Sequence, residues 1–158
     1  MSIRCRLALI LALALPVPLA LSVALPAAAS QMMDRGDFEN AARAAAPMAG
    51  SSYPWVRCAA LYRAMRRHAG PAELGRDRWD EARRIDALLT RGAALARAEE
   101  YGQPWQSAKI QAEVDVDAVA RLYLRRFEAA ILETGRPWTR DPLWQSDNAE
   151  CGGLLDDL

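Results

Sequence analysis

Residues 72–102 read AELGRDRWDEARRIDALLTRGAALARAEEYG, and the period of their apolar positions decides the fold. Trp79, Ala82, Ile85, Leu89, Ala93 and Ala96 recur at intervals of three and four, with Leu88, Gly92 and Leu95 adjoining. That period puts them on one side of a helix. The other side is charged, and Arg76, Asp80 and Arg84 form an i, i+4 series of alternating sign, the pattern of a solvated helix face.

Toward the C-terminus, YGQPWQ at 101–106 closes this helix, with Gly102 suited to the left-handed position after a helix end and Pro104 barring continuation. A second long segment runs from about Ser107 to Thr134, with Val116, Val119, Tyr123, Phe127, Ala130 and Ile131 at helical spacing and Ile110 and Val114 extending the band toward its start. Each segment can reach ~40 Å at 1.5 Å per residue, and so short a link forces them antiparallel. EVDVD at 113–117 alternates as a strand would, but helical sequence flanks it on both sides, so it is assigned to the helix with Asp115 and Asp117 on a solvated face. It is no EF-hand loop, because AVARLYL follows where a turn glycine and a closing glutamate are needed.

Toward the N-terminus, HAGP at 68–71 ends a further helix that begins at SSYP, where Ser51 or Ser52 caps the free amides and Pro54 fits the first turn. Val56, Cys58, Leu61, Tyr62 and Met65 form its apolar stripe. A shorter helix from about Asp37 to Ala46 has Asp37 as N-cap and Phe38, Ala41, Ala42 and Ala45 on one face, and Pro47 and Gly50 end it. The expected fold is all-α, an antiparallel bundle of about four helices followed by a C-terminal tail.

Residues 1–29, MSIRCRLALILALALPVPLALSVALPAAA, contain no acidic side chain and place Arg4 and Arg6 before an apolar run from Leu7 to Leu21. With small residues at Ala27, Ala28 and Ala29, this is the form of a secretory signal cleaved before Ser30. The competing reading is a membrane anchor, since the apolar stretch is long enough to span a bilayer. Pro16, Pro18 and Pro26 interrupt it and the Ala-x-Ala ending suits a peptidase, so the expectation is a cleaved leader (1–29), one helical domain (30–158), a periplasmic location and no stable membrane insertion after cleavage. Cys5 precedes the apolar run, the wrong side for a lipid anchor.

All 20 acidic residues lie beyond the leader and two of the 20 basic ones lie within it, leaving a formal charge of −2. Nucleic-acid binders carry a marked basic excess, so that class is set aside. Lys109 is the only lysine. Cys58 and Cys151 are the cysteines that remain, and in an oxidising compartment an even pair forms a disulfide, which would tether the tail SDNAECGGLLDDL to the second helix.

Could Cys58 instead be a nucleophile helped by His68, the only histidine? Ten helical residues separate them by ~15 Å, and no second histidine exists to take the part. His68 falls at its helix's C-terminal end beside Arg66 and Arg67, a capping or surface position. Cys58, Cys151 and His68 together give too few ligands for a structural zinc site. Glu-x-x-His pairs, CxxCH, GxSxG, the P-loop and GxGxxG are absent from the sequence, so no catalytic, metal or cofactor residue is assigned.

YGQPW at 101–105, TGRPW at 134–138 and YPW at 53–55 set Trp55, Trp105 and Trp138 directly after prolines. These tryptophans either lid the helix ends or offer an aromatic platform to a sugar ring or a quinone. The expected role is a non-enzymatic periplasmic binding or interaction protein with an envelope protein or small molecule as partner. The alternatives are a small-molecule carrier with Tyr62, Trp79, Tyr123 and Phe127 around a pocket between helices, or a hydrolase acting on envelope polymers through unmarked carboxylates.

Overall fold

The computed structural model describes residues 32–156, so the expected leader and its cleavage point before Ser30 lie outside the described residues. The chain is all-α: α1 (Arg35–Ala45), a 3-10 turn (Gly50–Ser52), α2 (Tyr53–Leu74), α3 (Arg76–Tyr101), α4 (Trp105–Thr134) and α5 (Pro142–Asp156). The packing is that of a helical bundle. α2 lies on α3 and α4, α3 and α4 form an antiparallel hairpin, α1 rests on α4, and α5 on α2. Gly102 and Gly135 end α3 and α4 at φ of 60° and 72°, the left-handed value that favours glycine. The break expected at HAGP falls at Gly70 (φ 63°), after which Pro71 opens one more helical turn.

The helix starts differ from the sequence reading. Asp34, not Asp37, caps α1: its Oδ1 accepts the Asp37 amide at 2.8 Å. Neither Ser51 nor Ser52 caps α2 through its side chain; the Ser52 hydroxyl donates to the Ala49 carbonyl. The free amide at this end is met from another helix. Glu100, near the end of α3, accepts the Ser51 amide at 2.8 Å and the Ser51 hydroxyl at 2.6 Å. The Ser51 hydroxyl and amide hold the Glu100 carboxyl below its usual range.

The C-terminal tail is itself helical. The Asp141 carboxylate accepts the Leu143 amide at 3.0 Å, and Pro142 occupies the first turn. Cys58 and Cys151 are joined with their Cα atoms 5.4 Å apart, which fastens α5 to α2.

Alanine sets the spacing of the core. Ala93 and Ala94 of α3 and Ala108 and Ala112 of α4 are fully buried, as are Ala59, Ala60 and Ala64 of α2. Small side chains let helix axes approach closely, and Phe38, Leu61, Tyr123 and Phe127 are among the large side chains buried with them. This corrects the apolar band of α4, in which Ile110 and Val114 are exposed because the alanine face turns inward there. Leu88, Leu95 and Ile131 are exposed as well. Gly92 serves the same economy: a Cβ there would stand 2.7 Å from the Trp55 ring.

Among the described residues, four arginine–aspartate pairs occupy the interior. Arg63–Asp86 and Arg126–Asp141 meet at 2.9 and 2.6 Å, Arg57–Asp147 at 2.6 Å, and Arg97 pairs with Asp115. Asp115 is therefore buried, contrary to the solvated face expected for EVDVD. Burial pushes its carboxyl up, against the opposing pull of Arg97. The expected ladder through Arg76, Asp80 and Arg84 is replaced by i, i+3 pairs, Asp80–Arg83 and Glu81–Arg84.

Candidate functional site

Among the described residues two surface depressions are of most interest, one largely apolar and one charged. The first lies between α2, α3 and the start of α5, with a volume of about 610 Å³. Its floor is Tyr62, Met65 and Ile85, and Trp138 and Trp144 form one wall. Trp144 Nε1 donates to Met65 Sδ at 3.4 Å, and the Tyr62 hydroxyl donates to Asn148 Oδ1 at 3.5 Å, so α5 orients both floor residues. Burial, and then Glu81, push the Tyr62 phenol up. Asp77, Arg78 and Glu81 stand on the α3 side.

The second depression lies between α3 and α4, about 540 Å³ in volume, and is lined by Ala87, Thr90, Arg91, Trp105, Lys109 and Glu113. Beneath it runs a charge network centred on Arg63. That guanidinium meets Asp86, Glu113 at 2.8 Å and Asp117 at 2.7 Å, while Arg66 joins Asp86 and Arg67 joins Asp117. Thr90 Oγ1 bonds to both Arg63 and Asp86. Burial would raise the Asp117 carboxyl, but the bonds from Arg63 and Arg67 outweigh it and lower it.

The three proline-linked tryptophans do not form one platform. Trp55 covers Gly92, Trp138 packs edge-on against His68 and Phe127, and Trp105 stands 40 % exposed at the mouth of the α3–α4 depression. The four aromatics named for a carrier pocket are separated too. Tyr123 and Phe127 are fully buried, with the Tyr123 hydroxyl bound to Asp147, whereas Tyr62 lines the apolar groove and Trp79 is gripped by Arg66 and Arg83. His68 is half-buried against Phe127 and Trp138, with ring centroids 5.8 Å apart in each case, where a capping or surface position was expected.

Among the described residues, no group of three or more His, Cys, Asp or Glu side chains is placed to hold a metal ion. Glu113 is the one carboxylate among the residues lining the α3–α4 depression. Asp77, Asp80 and Glu81 line a third, shallow one on α3, where Asp80 and Glu81 are paired to arginines. No described helix is long and apolar enough to cross a membrane. No protein-family model, curated protein or solved structure matches this chain.

The buried arginines are not among the residues expected from the sequence to matter. The signal was present: Leu89, Ala93 and Arg97 are spaced by four, as are Asp115 and Val119, so each charge sits on the core-facing period of its helix. A charge at such a position calls for a buried partner of opposite sign.

Proposed function

We propose that this is an exported, non-enzymatic interaction protein of the periplasm, whose α2–α3–α5 groove accepts an apolar segment of a partner protein in the envelope. The observation that carries this reading is the groove itself. Met65, Ile85, Trp138 and Trp144 present adaptable and aromatic surface of the kind that anchors an inserted side chain, with charge confined to one side. It is open to solvent, so that a partner helix can lay one face into it. Support for the compartment comes from the cysteine bridge, which persists in oxidising surroundings, and from the composition of residues 1–29.

A photo-crosslinking side chain placed at Tyr62 tests this in intact cells. A discrete adduct is expected in the envelope fraction, and Ile85→Arg should abolish it while Leu132→Arg, on an exposed position elsewhere, leaves it intact. A lone unadducted chain, or an adduct indifferent to Ile85→Arg, overturns the reading. An adduct of twice the chain mass would make the occupant a second copy and also overturn it. The groove volume falls within the range of small-molecule sites, so a carrier is the second reading; it would show as a low-mass ligand released on denaturation.

A further inference from the structure

We infer that the α3–α4 depression is a separate binding site for a sugar ring bearing a carboxylate or phosphate group. Arg63, Arg66 and Arg67 are balanced by Asp86, Glu113 and Asp117, three of each sign held in one network below the depression. Arg91 and Lys109 stand above it in the lining, and neither makes an ion pair among the described residues. The floor is thus neutralised and the wall carries two cations. Such a cleft holds an anion, and no anionic side chain of the lining answers them, because Glu113 is already drawn to Arg63.

Shape and donor chemistry narrow the anion. Trp105 offers a partly exposed indole at the mouth, a flat surface for the apolar face of a ring. Glu113 accepts without donating, and its half-exposed carboxylate, paired to Arg63, lines the same space. A planar aromatic acid would set its ring against that carboxylate with nothing to donate to it. A pyranose brings both a C–H face for Trp105 and hydroxyl donors for Glu113, while its acidic substituent meets Arg91 and Lys109. The volume of about 540 Å³ accommodates one or two such rings. The site is distinct from the partner groove and does not depend on it.

Lys109, as the only lysine, gives a direct readout, since an amine acylating reagent marks one side chain besides the chain terminus. Acylation of Lys109 in the purified, oxidised protein would be followed by peptide mass spectrometry with glucuronate, glucose 6-phosphate, glucose or inorganic phosphate present at up to about 10 mM, a concentration that saturates even a weak site. Glucuronate, glucose 6-phosphate or both should slow acylation severalfold, and which of them does so identifies the acidic group. Protection should fade with added salt and should be lost in Trp105→Ala, and half-protection should need about tenfold or more ligand in Arg91→Gln; both side chains are exposed, and folding of each variant is checked by circular dichroism. Protection by glucose equal to that by glucuronate overturns the role of the cations. Protection by inorganic phosphate equal to the sugar phosphate and unchanged in Trp105→Ala overturns the sugar, and no protection by any of the four overturns the site.

Discussion

At the scale of single residues, the molecule depends on charges that face inward. Removing one member of a buried pair leaves the other uncompensated, whereas replacing both with apolar groups of similar volume removes the desolvation penalty as well. Asp115→Ala should therefore destabilise by about 3–5 kcal/mol, and the double variant Arg97→Met/Asp115→Leu should recover most of that loss in denaturant titration. Glu100 gives a pH signature of known sign. Its folded carboxyl titrates below the ordinary value of 4.5, so its contribution is present above that value and lost as pH falls through the folded one. The melting temperature of Glu100→Gln should lie below the wild type above pH 5, and the gap should close on acidification; a gap that widens would reverse the assignment. Of the proposed site residues, Trp105 and Trp138 were legible as aromatics set after prolines. That they serve different depressions was not, because the rotation of each helix about its axis is fixed by long-range packing that no local spacing records.

Secondary-structure elements were the most legible level. The repeat of apolar residues in 72–102 and the turn signals at Gly102–Pro104 and Gly135–Pro137 define α3, α4 and their hairpin with ends close to those observed. What failed was capping across elements, since the acceptor at the start of α2 comes from Glu100, 49 residues away in sequence. α5 was missed although Asp141–Pro142 is a helix-start signal, because the glycine pair at 152–153 reads as loop. It is fastened to α2 by the disulfide, the Arg57–Asp147 pair and the Tyr62–Asn148 and Trp144–Met65 bonds, to α4 by the Tyr123–Asp147 bond, and to α1 by exposed contacts from Arg35 to Ser146 and Glu150. Cys58→Ser and Cys151→Ser should each lower stability by about 2–4 kcal/mol, and their combination should add little, since either change removes the same crosslink. Equal losses in calorimetry are the expected result, together with no alkylatable thiol in the native wild-type protein. Unequal ones would mean that a side chain contributes beyond the bridge.

For the whole molecule, location is the property the sequence addresses and the folded helices do not. If residues 1–29 are a cleaved leader, the protein recovered by osmotic shock of a Gram-negative host should begin at Ser30, which N-terminal sequencing checks; a chain that retains Met1 and stays with the membrane makes that segment an anchor. The overall bundle was legible because each long segment has one apolar side and short connections. The two-sided character of its surface was not, because a depression exists only between helices that have already packed. One consequence of the bridge belongs to this scale alone. Because it joins positions 93 residues apart, most of α2, all of α3 and α4 and the first turns of α5 lie inside a covalent ring. A protease that nicks the exposed link at Gly102 therefore yields a molecule of unchanged mass, apart from one added water, which falls into two pieces only when a reductant is supplied. Non-reducing electrophoresis would score such a nicked chain as intact, and the protein could circulate in cut form without coming apart.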